Sequence, residues 1–254
     1  MLEVDSLSTP PSRHKISNHV KGALTVKLYI TNKNYSSWSL RPWVLMRELG
    51  IPFEECLEPL VENPDEQRRR FSQFSPSAKV PCLHDGDLRI WDSLAIVEHL
   101  AERYPAVWPD DPAARAYARS ATAEMHSGFT SLRRHCSMTC GQRVVLRELT
   151  VDVQADLDRL AALWSMGFES FGGGFLAGPK FSAVDAFFAP IAFRLQSYGL
   201  SLDESCNAYV ARLLSLPSMK DWYAAALIEP WRDKAHDDEI RSVAASIIDL
   251  RVVR

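Results

Sequence analysis

The sequence lacks the features that mark several classes of protein. No apolar run approaches the roughly 18 residues of a membrane span, and the first residues carry Glu3 and Asp5 without the apolar segment of a secretory signal. Five cysteines without a Cys-x-x-Cys pair or metal-ligand spacing argue against a disulfide framework and a structural zinc site. A balance of 29 Lys and Arg against 32 Asp and Glu disfavours a nucleic-acid partner. We therefore expect a cytoplasmic protein with no metal and with neither membrane nor nucleic acid as partner.

The first half of the chain alternates between strand and helix patterns. Short runs rich in β-branched and aromatic residues predict strands, and apolar residues at helical spacing predict the segments between them. The order is βαβαββα, with a hairpin turn at Asp85-Gly86-Asp87. The predicted strands are Thr25 to Ile30, Phe53 to Leu57, Val80 to Leu83 and Leu88 to Trp91, and the predicted helices are Leu40 to Leu49, Asn63 to Phe74 and Ser93 to Tyr104.

A proline-rich linker, residues 105–112, separates this half from a second one. Residues 113–254 show helical periodicity and no competing strand pattern, so an all-helical domain is predicted there. We interpret residues 1–23 as a disordered tail and residues 24–104 as the first domain. The predicted helices are Ala113 to Arg134, Val151 to Met166, Ala183 to Tyr198, Glu204 to Leu214 and Met219 to Leu227.

Four short motifs fall where chemistry can occur, and each also has a purely structural reading. Ser36, Ser37 and Ser39 precede the first helix, where they fit an anion-binding helix N-terminus or simple helix caps. Lys79-Val80-Pro81 begins a predicted strand, and its proline indicates either an edge strand or a cis peptide bond. Asp92 and Ser93 begin a helix, where capping alone explains them. Ser182-x-x-Asp185 reads as a capping box, and we take it as structural.

Taken together, the four motifs in this order resemble the cytosolic glutathione transferases over roughly Val26 to Trp231. The resemblance implies an α/β thioredoxin-like N-terminal domain followed by an all-α C-terminal helical bundle. Ser36-Ser37-Trp38-Ser39 is most similar to the serine-type turn of the zeta class, in which cysteine stands where this chain has Trp38. Asp92 stands where the family often has Glu or Gln.

The resemblance also implies a set of site residues. Ser36 or Ser37 is catalytic and contacts the glutathione thiol, with Ser36 preferred because it matches the thiol-contacting position. Glutathione, as substrate or cofactor, is bound by Lys79, Val80, Pro81, Asp92 and Ser93. By analogy, the polar stripe of the helix after the linker contributes Tyr117, Ser120 and Glu124 to the site of the electrophile, although a solvated helix face explains that stripe equally well.

The leading hypothesis is a homodimeric glutathione transferase that activates the thiol for attack on an electrophilic small molecule. Two alternatives stay open: a zeta-like isomerase that uses glutathione as cofactor, and a non-catalytic ligand-binding protein on the same fold. Hydroxyls at Ser36, Ser37 and Ser39 favour catalysis, since a binding protein needs no hydroxyl at Ser36.

Overall fold

A computed structural model describes residues 26–252, so the predicted tail at residues 1–23 lies outside the described residues. The first half is built around a four-stranded mixed sheet with the order β2-β1-β3-β4. Strand β1 is parallel to β2 and antiparallel to β3, and β3 and β4 form a hairpin. The elements are β1 (Val26–Ile30), α1 (Ser37–Glu48), β2 (Phe53–Leu57), α2 (Pro64–Phe71), β3 (Cys82–Asp85), β4 (Leu88–Ile90) and α3 (Ser93–Ala101).

Helix α1 is defined by local signals at both ends. Ser36 is its N-cap, and Pro42 lies near its start, although still inside the helix. Leu49 is the C-cap, followed by Gly50 at a φ of +64°, a conformation that glycine adopts without strain. Most of its side chains are buried between the sheet and the helical half, which places its N-terminus at the junction of the two halves.

The second half is mainly helical. Its central helix α7 is buried almost throughout its length and packs against α1, α4 and α8. The elements are α4 (Pro112–Ser127), α5 (Thr130–His135), β5 (Gln142–Leu146), α6 (Val151–Phe171), α7 (Ala183–Tyr198), α8 (Glu204–Ser215), α9 (Pro217–Ile228), α10 (Lys234–Val243) and β6 (Ala244–Asp249). No helix among residues 26–252 is both long enough and apolar enough to cross a membrane.

The predicted fold class is confirmed, and the structure corrects three details. The helix predicted over residues 113–134 is interrupted after Ser127, where Phe129 adopts a φ of +52°, and continues as the separate helix α5. The helical half also contains an antiparallel pair of strands, β5 and β6. Helix α10 lies in a segment to which the periodicity assigned no element.

Candidate active site

A cavity of about 600 Å³ opens where the start of α1 meets the helical half. One wall comes from the β1–α1 loop, α2 and the segment before β3. The opposite wall comes from α5, the loop after it, α7 and α10. Four of the predicted site residues line this cavity: Ser36, Ser37, Lys79 and Val80. Ser36 and Val80 are 44 residues apart in the sequence. Local motifs from separate loops therefore converge at one end of the sheet.

Ser36 is the helix cap at the mouth of this site. Its Oγ accepts a hydrogen bond from the Ser39 N–H at 3.3 Å and, as placed, donates to the Ser39 Oγ at 2.8 Å. Ser39 is fully buried, and its Oγ also accepts from the Thr31 N–H at 3.4 Å. The two hydrogen bonds to Ser39 thus fix the Ser36 hydroxyl against the first turn of α1.

Ser37 occupies the first helical position and is 9% exposed. It lines the cavity, and its hydroxyl makes no hydrogen bond with the described part of the chain. If one serine caps the helix and the other faces the ligand, the structure assigns the cap to Ser36. Both hydroxyls nevertheless border the same space.

The ring of Trp38, which follows them, contacts two guanidinium groups. The Arg41 guanidinium lies 4.1 Å from the ring centroid, and that of Arg133 lies 4.8 Å from it. Arg41 is 1% exposed, and its Nε and Nη1 have no partner within the described residues. Burial, and then the charges of Arg133 and Arg194, hold the pKa of Arg41 well below its usual range. A positive field therefore surrounds this ring.

Lys79 and Val80 lie on the segment before β3. Lys79 is exposed, and Val80 precedes a cis peptide bond to the buried Pro81. Strand β3 begins only at Cys82, so the Val80 backbone makes none of the sheet hydrogen bonds. Its N–H and C=O are therefore available to a ligand beside the cavity.

Asp92 and Ser93 begin α3 and do not line the cavity. Asp92 caps the helix, and its second carboxylate oxygen lies 3.0 Å from Nε2 of His126. The His126 ring packs edge-on against Trp38, with the two ring centroids 5.3 Å apart. The Ser93 hydroxyl is buried without a hydrogen-bond partner in the described chain. His126 thus links the start of α3 to the cavity wall. No motif in the sequence indicates this role.

Gln67 on α2 is a second residue that sequence reasoning missed. Its Oε1 accepts from the Val61 N–H at 2.6 Å, which fixes the amide at the cavity wall. Its Nε2 is buried and has no partner among the described residues. An amide donor left free in this way is suited to a ligand oxygen. Gln67 lies in a charged helix, so its sequence context is that of a solvent-exposed surface and gives no sign of a site.

The structure places Tyr117, Ser120 and Glu124 away from this cavity. The Tyr117 hydroxyl donates to the Leu163 carbonyl at 2.8 Å, and Glu124 forms two hydrogen bonds with Arg159 at 2.6 and 2.8 Å. Ser120 is exposed. The first two hold α4 against α6, so the assignment of this stripe to the electrophile is replaced below.

The β1–α1 loop is fixed by residues from the C-terminal part of the chain. Glu229 accepts hydrogen bonds from the N–H groups of Lys33 and Asn34, at 2.6 and 3.2 Å. The Trp222 indole donates to the Lys33 carbonyl at 2.8 Å. Burial raises the pKa of Glu229, although the two backbone hydrogen bonds oppose the shift. These contacts bridge about 190 residues of sequence, and no local motif announces them.

Comparisons with known proteins relate this chain to glutathione transferases. The family profile described as "Glutathione S-transferase, N-terminal domain" matches residues 35–103. A stringent starvation protein A homolog from Pasteurella multocida is 26% identical over 69% of this chain and 80% of its own length. Human glutathione S-transferase theta-1 is 30% identical over 56% of this chain, and the match spans 62% of that protein.

Residues 35–103 thus carry the N-terminal domain of the glutathione transferase family. A solved glutathione transferase homolog from Burkholderia, with bound glutathione, shares the fold with a TM-score of 0.60 at 23% identity, over 80% of this chain and 98% of that one. The family prediction is confirmed. The serine-type and zeta-like features of this glutathione transferase homologue stay predictions. Among residues 26–252, no group of three or more His, Cys, Asp or Glu side chains could hold a metal ion.

Proposed function

We propose that this protein binds glutathione in the cavity at the start of α1, stabilises its thiolate and transfers the sulfur to an electrophilic small molecule. The observation that carries this proposal is the Ser36 hydroxyl, fixed at a helix N-terminus beside a 600 Å³ cavity. Family membership supports the same reaction class.

Thiol activation needs a lower thiol pKa, because a free cysteine thiol has a pKa near 8.5 and only the thiolate is a strong nucleophile. A hydrogen bond to a charged sulfur contributes about 1.5–3 kcal/mol and a helix N-terminus about 0.3–2 kcal/mol, against about 1.36 kcal/mol per pKa unit. The two effects together suffice to lower the thiol pKa by one to two units.

Ser36 can make this hydrogen bond while it caps the helix. A hydroxyl has one proton and two lone pairs and rotates to suit its partners. As placed, the Ser39 Oγ accepts from the Ser36 hydroxyl and from the Thr31 N–H, and its own proton has no acceptor among the described residues. If Ser39 donates instead, its buried proton is satisfied and the Ser36 proton is free for the thiolate. Ser39 is then a positioning residue for Ser36.

The rest of glutathione is assigned from the resemblance and from the unsatisfied groups at the site. The Val80 backbone pairs with the peptide groups of glutathione like an added strand. Asp92 and Ser93 bind the γ-glutamyl end, with Asp92 facing its ammonium. Lys79 faces the glycyl carboxylate, and the free Nε2 of Gln67 is a second donor on the same wall. The homodimer and the cytoplasmic location also stay predictions.

The isomerase reaction uses the same thiolate, so the choice between transfer and isomerisation depends on the second substrate. Trp38 stands in place of the cysteine of the zeta-type turn, and its ring contacts the guanidinium groups of Arg41 and Arg133. This replacement favours transfer. A non-catalytic binding protein would keep glutathione affinity but lose any shift in the thiol pKa.

Titration calorimetry with glutathione tests the proposal. We expect a dissociation constant in the micromolar-to-millimolar range for the wild-type protein and for Ser120→Ala, whose exposed serine lies outside the cavity. Absence of both heat and thermal stabilisation at millimolar glutathione would rule out the enzymatic function. Binding without turnover across a panel of electrophiles, and with a normal thiol pKa, would indicate the non-catalytic alternative.

A further inference from the structure

The wall of the cavity that the helical half forms is strongly basic. Arg133, Arg134 and Arg194 line it, together with His236, and Lys79 lies on the opposite wall. The described residues that line this cavity include no aspartate or glutamate. His236 has its own counter-ion in Asp233, with which it forms a hydrogen-bonded pair. The three arginines have none within salt-bridge distance in the described chain.

Arg194 on α7 is the most unusual member of this wall, because it is buried, with 4% of its surface exposed. Its Nε donates to the Cys136 carbonyl at 2.9 Å, and its Nη1 lies 3.4 Å from the Pro190 carbonyl. Its Nη2 has no hydrogen-bond partner among residues 26–252. Burial, followed by repulsion from Arg133, lowers the pKa of Arg194 to about 10, so it stays charged at neutral pH. A buried cation with a free donor is suited to an anion.

Arg133 and Arg134 extend this surface along α5. The Nη1 of Arg133 donates to the carbonyls of His126 and Gly128, at 3.3 and 3.1 Å, and its guanidinium packs on the Trp38 ring. Arg134 is exposed and forms no side-chain hydrogen bond with the described chain. Each guanidinium therefore retains donors for a ligand, and the planar fork of arginine matches a carboxylate in two parallel hydrogen bonds.

Glutathione does not account for these cations in the proposed binding mode. Its γ-glutamyl carboxylate is assigned to the start of α3 and its glycyl carboxylate to the wall with Lys79 and Gln67, both in the first half of the chain. Its sulfur is assigned to Ser36. The three arginines belong to α5 and α7, across the cavity, where the second substrate must enter to reach the sulfur.

We propose that the second substrate is an electrophile that carries a carboxylate group, held by Arg133, Arg134 and Arg194. This inference rests on the proposed transferase function and names its substrate class. The guanidinium groups orient the electrophilic carbon towards the thiolate. Neutral apolar electrophiles leave the three cations without a partner and bind less well.

A chlorodinitrobenzoate and its methyl ester form a matched pair of probes for this proposal. In both, the thiolate attacks the carbon that bears chlorine, the C–S bond forms, the C–Cl bond breaks, and chloride leaves with the bonding electron pair. The thiol proton passes to water. The two compounds differ in the charge of one group remote from the reacting carbon.

We expect kcat/KM for the acid to exceed that for the ester by about tenfold or more, after each is divided by its uncatalysed rate with glutathione. Arg134→Glu should lower this acid-to-ester ratio, and because Arg134 is exposed the variant should fold. Arg119→Glu is the control, since it makes the same change of charge on a half-exposed residue that lies outside the cavity and pairs with Glu98. The control should keep the wild-type ratio.

A binding measurement separates this proposal from the function on which it rests. The glutathione conjugates of the acid and of the ester are stable products, so calorimetry gives their dissociation constants without catalysis. Tighter binding of the acid conjugate, with a difference that Arg134→Glu reduces, supports the proposal even if turnover is slow. Equal binding and an acid-to-ester ratio of one or less would overturn it while leaving the transferase function intact. Arg134→Glu weakening glutathione itself, with an unchanged ratio, would also overturn it.

Discussion

At the scale of single residues, the two hydroxyls of Ser36 and Ser37 make the thiol chemistry testable. Ser36→Ala removes the proposed donor to the thiolate, so we expect the pKa of the bound glutathione thiol to rise by about one to two units and turnover at neutral pH to fall roughly 10- to 100-fold. Ser36 is also the N-cap, so the same variant should lose about 1 kcal/mol of stability. Ultraviolet titration of the bound thiolate and urea unfolding measure the two effects.

Ser37→Ala is the matched control, because it removes a hydroxyl from the same cavity without removing the cap. We expect a normal stability and a thiol pKa close to that of the wild type. A raised thiol pKa in Ser37→Ala, with Ser36→Ala affecting stability alone, would assign the donor to Ser37. If neither variant shifts the thiol pKa, the backbone N–H groups at the helix N-terminus carry the activation.

The residue scale also shows what a sequence reveals about such a site. Ser36, Lys79 and Val80 are recognisable because each lies in a short motif at the end of a predicted element. Arg133 and Arg194 are not, since each is one arginine on a helix, and they meet only when α5 packs beside α7. The sequence therefore directed the electrophile site to the polar stripe of α4, whose Glu124 instead accepts a hydrogen bond from Arg159 and does not line the cavity.

At the scale of elements, α7 depends on a buried carboxylate at its third position, the capping-box residue Asp185. Asp185 is fully buried and accepts hydrogen bonds from the N–H groups of Leu176 and Ser182 and from the Tyr209 hydroxyl, at 2.9 to 3.1 Å. Asp185→Asn turns one acceptor into a donor that faces these donors, so we expect a loss of about 2–4 kcal/mol in the free energy of unfolding. Denaturation with urea measures it.

Asp203→Asn is the control for that substitution. Asp203 caps α8 by accepting from the Cys206 N–H at 2.9 Å, but it is exposed, and asparagine caps helices about as well as aspartate. We expect a change of a few tenths of a kcal/mol. Similar losses in both variants would mean that burial does not distinguish the two carboxylates.

Helix α10 brings a pH-sensitive pair to the cavity. Burial lowers the pKa of His236, but the hydrogen bond and charge of Asp233, with Glu239 and Asp237 nearby, outweigh it, so the net shift is upward. A raised pKa means that the folded state binds the proton more tightly than the unfolded state does. The stabilisation is therefore complete below the ordinary histidine pKa of about 6.5 and is lost as pH rises through the folded value.

We accordingly expect the melting temperature of the wild type to fall between about pH 6.5 and pH 8.5 by more than that of His236→Asn. Calorimetric scans across this range measure the difference. His99→Asn, which removes a histidine paired with Asp85 away from α10, serves as the comparison. Parallel pH profiles in the wild type and His236→Asn would contradict the raised pKa.

The strand pair β5–β6 shows where prediction from sequence ends. Val144 pairs with Ile247 across about 100 residues, and each strand is five or six residues long. Neither segment alternates strongly enough to stand out, and pairing between distant segments leaves no local signal. The hairpin of β3 and β4 was predictable because its two strands flank one Asp-Gly turn.

At the scale of the whole molecule, the last residues of the described chain hold the loop that precedes the thiol site. Arg251 is 4% exposed in its side chain and pairs with Asp237 at 3.1 Å and with Asp249. It also donates to the Tyr35 hydroxyl, which in turn donates to Asp237 at 3.0 Å. Tyr35 immediately precedes Ser36. One buried hydrogen-bond network thus joins the C-terminal segment to the loop that carries Ser36, the proposed donor to the thiolate.

Arg251→Gln should reveal this connection. The substitution leaves Asp237, itself 5% exposed, without its buried cation, so we expect about 3–5 kcal/mol less stability. Because the same network holds Tyr35, glutathione should also bind several-fold more weakly at a temperature where the variant is folded. Arg147→Gln is the control, since Arg147 is exposed and its side chain contacts the C-terminal segment at the Ser242 carbonyl, 3.1 Å away, while its backbone hydrogen bond to Val243 is kept in the variant. A variant of Arg251 that loses stability but binds glutathione normally would show that the other contacts of the loop, including those of Glu229 and Trp222, are enough to hold it, and that the Arg251 network contributes to the fold without contributing to the site.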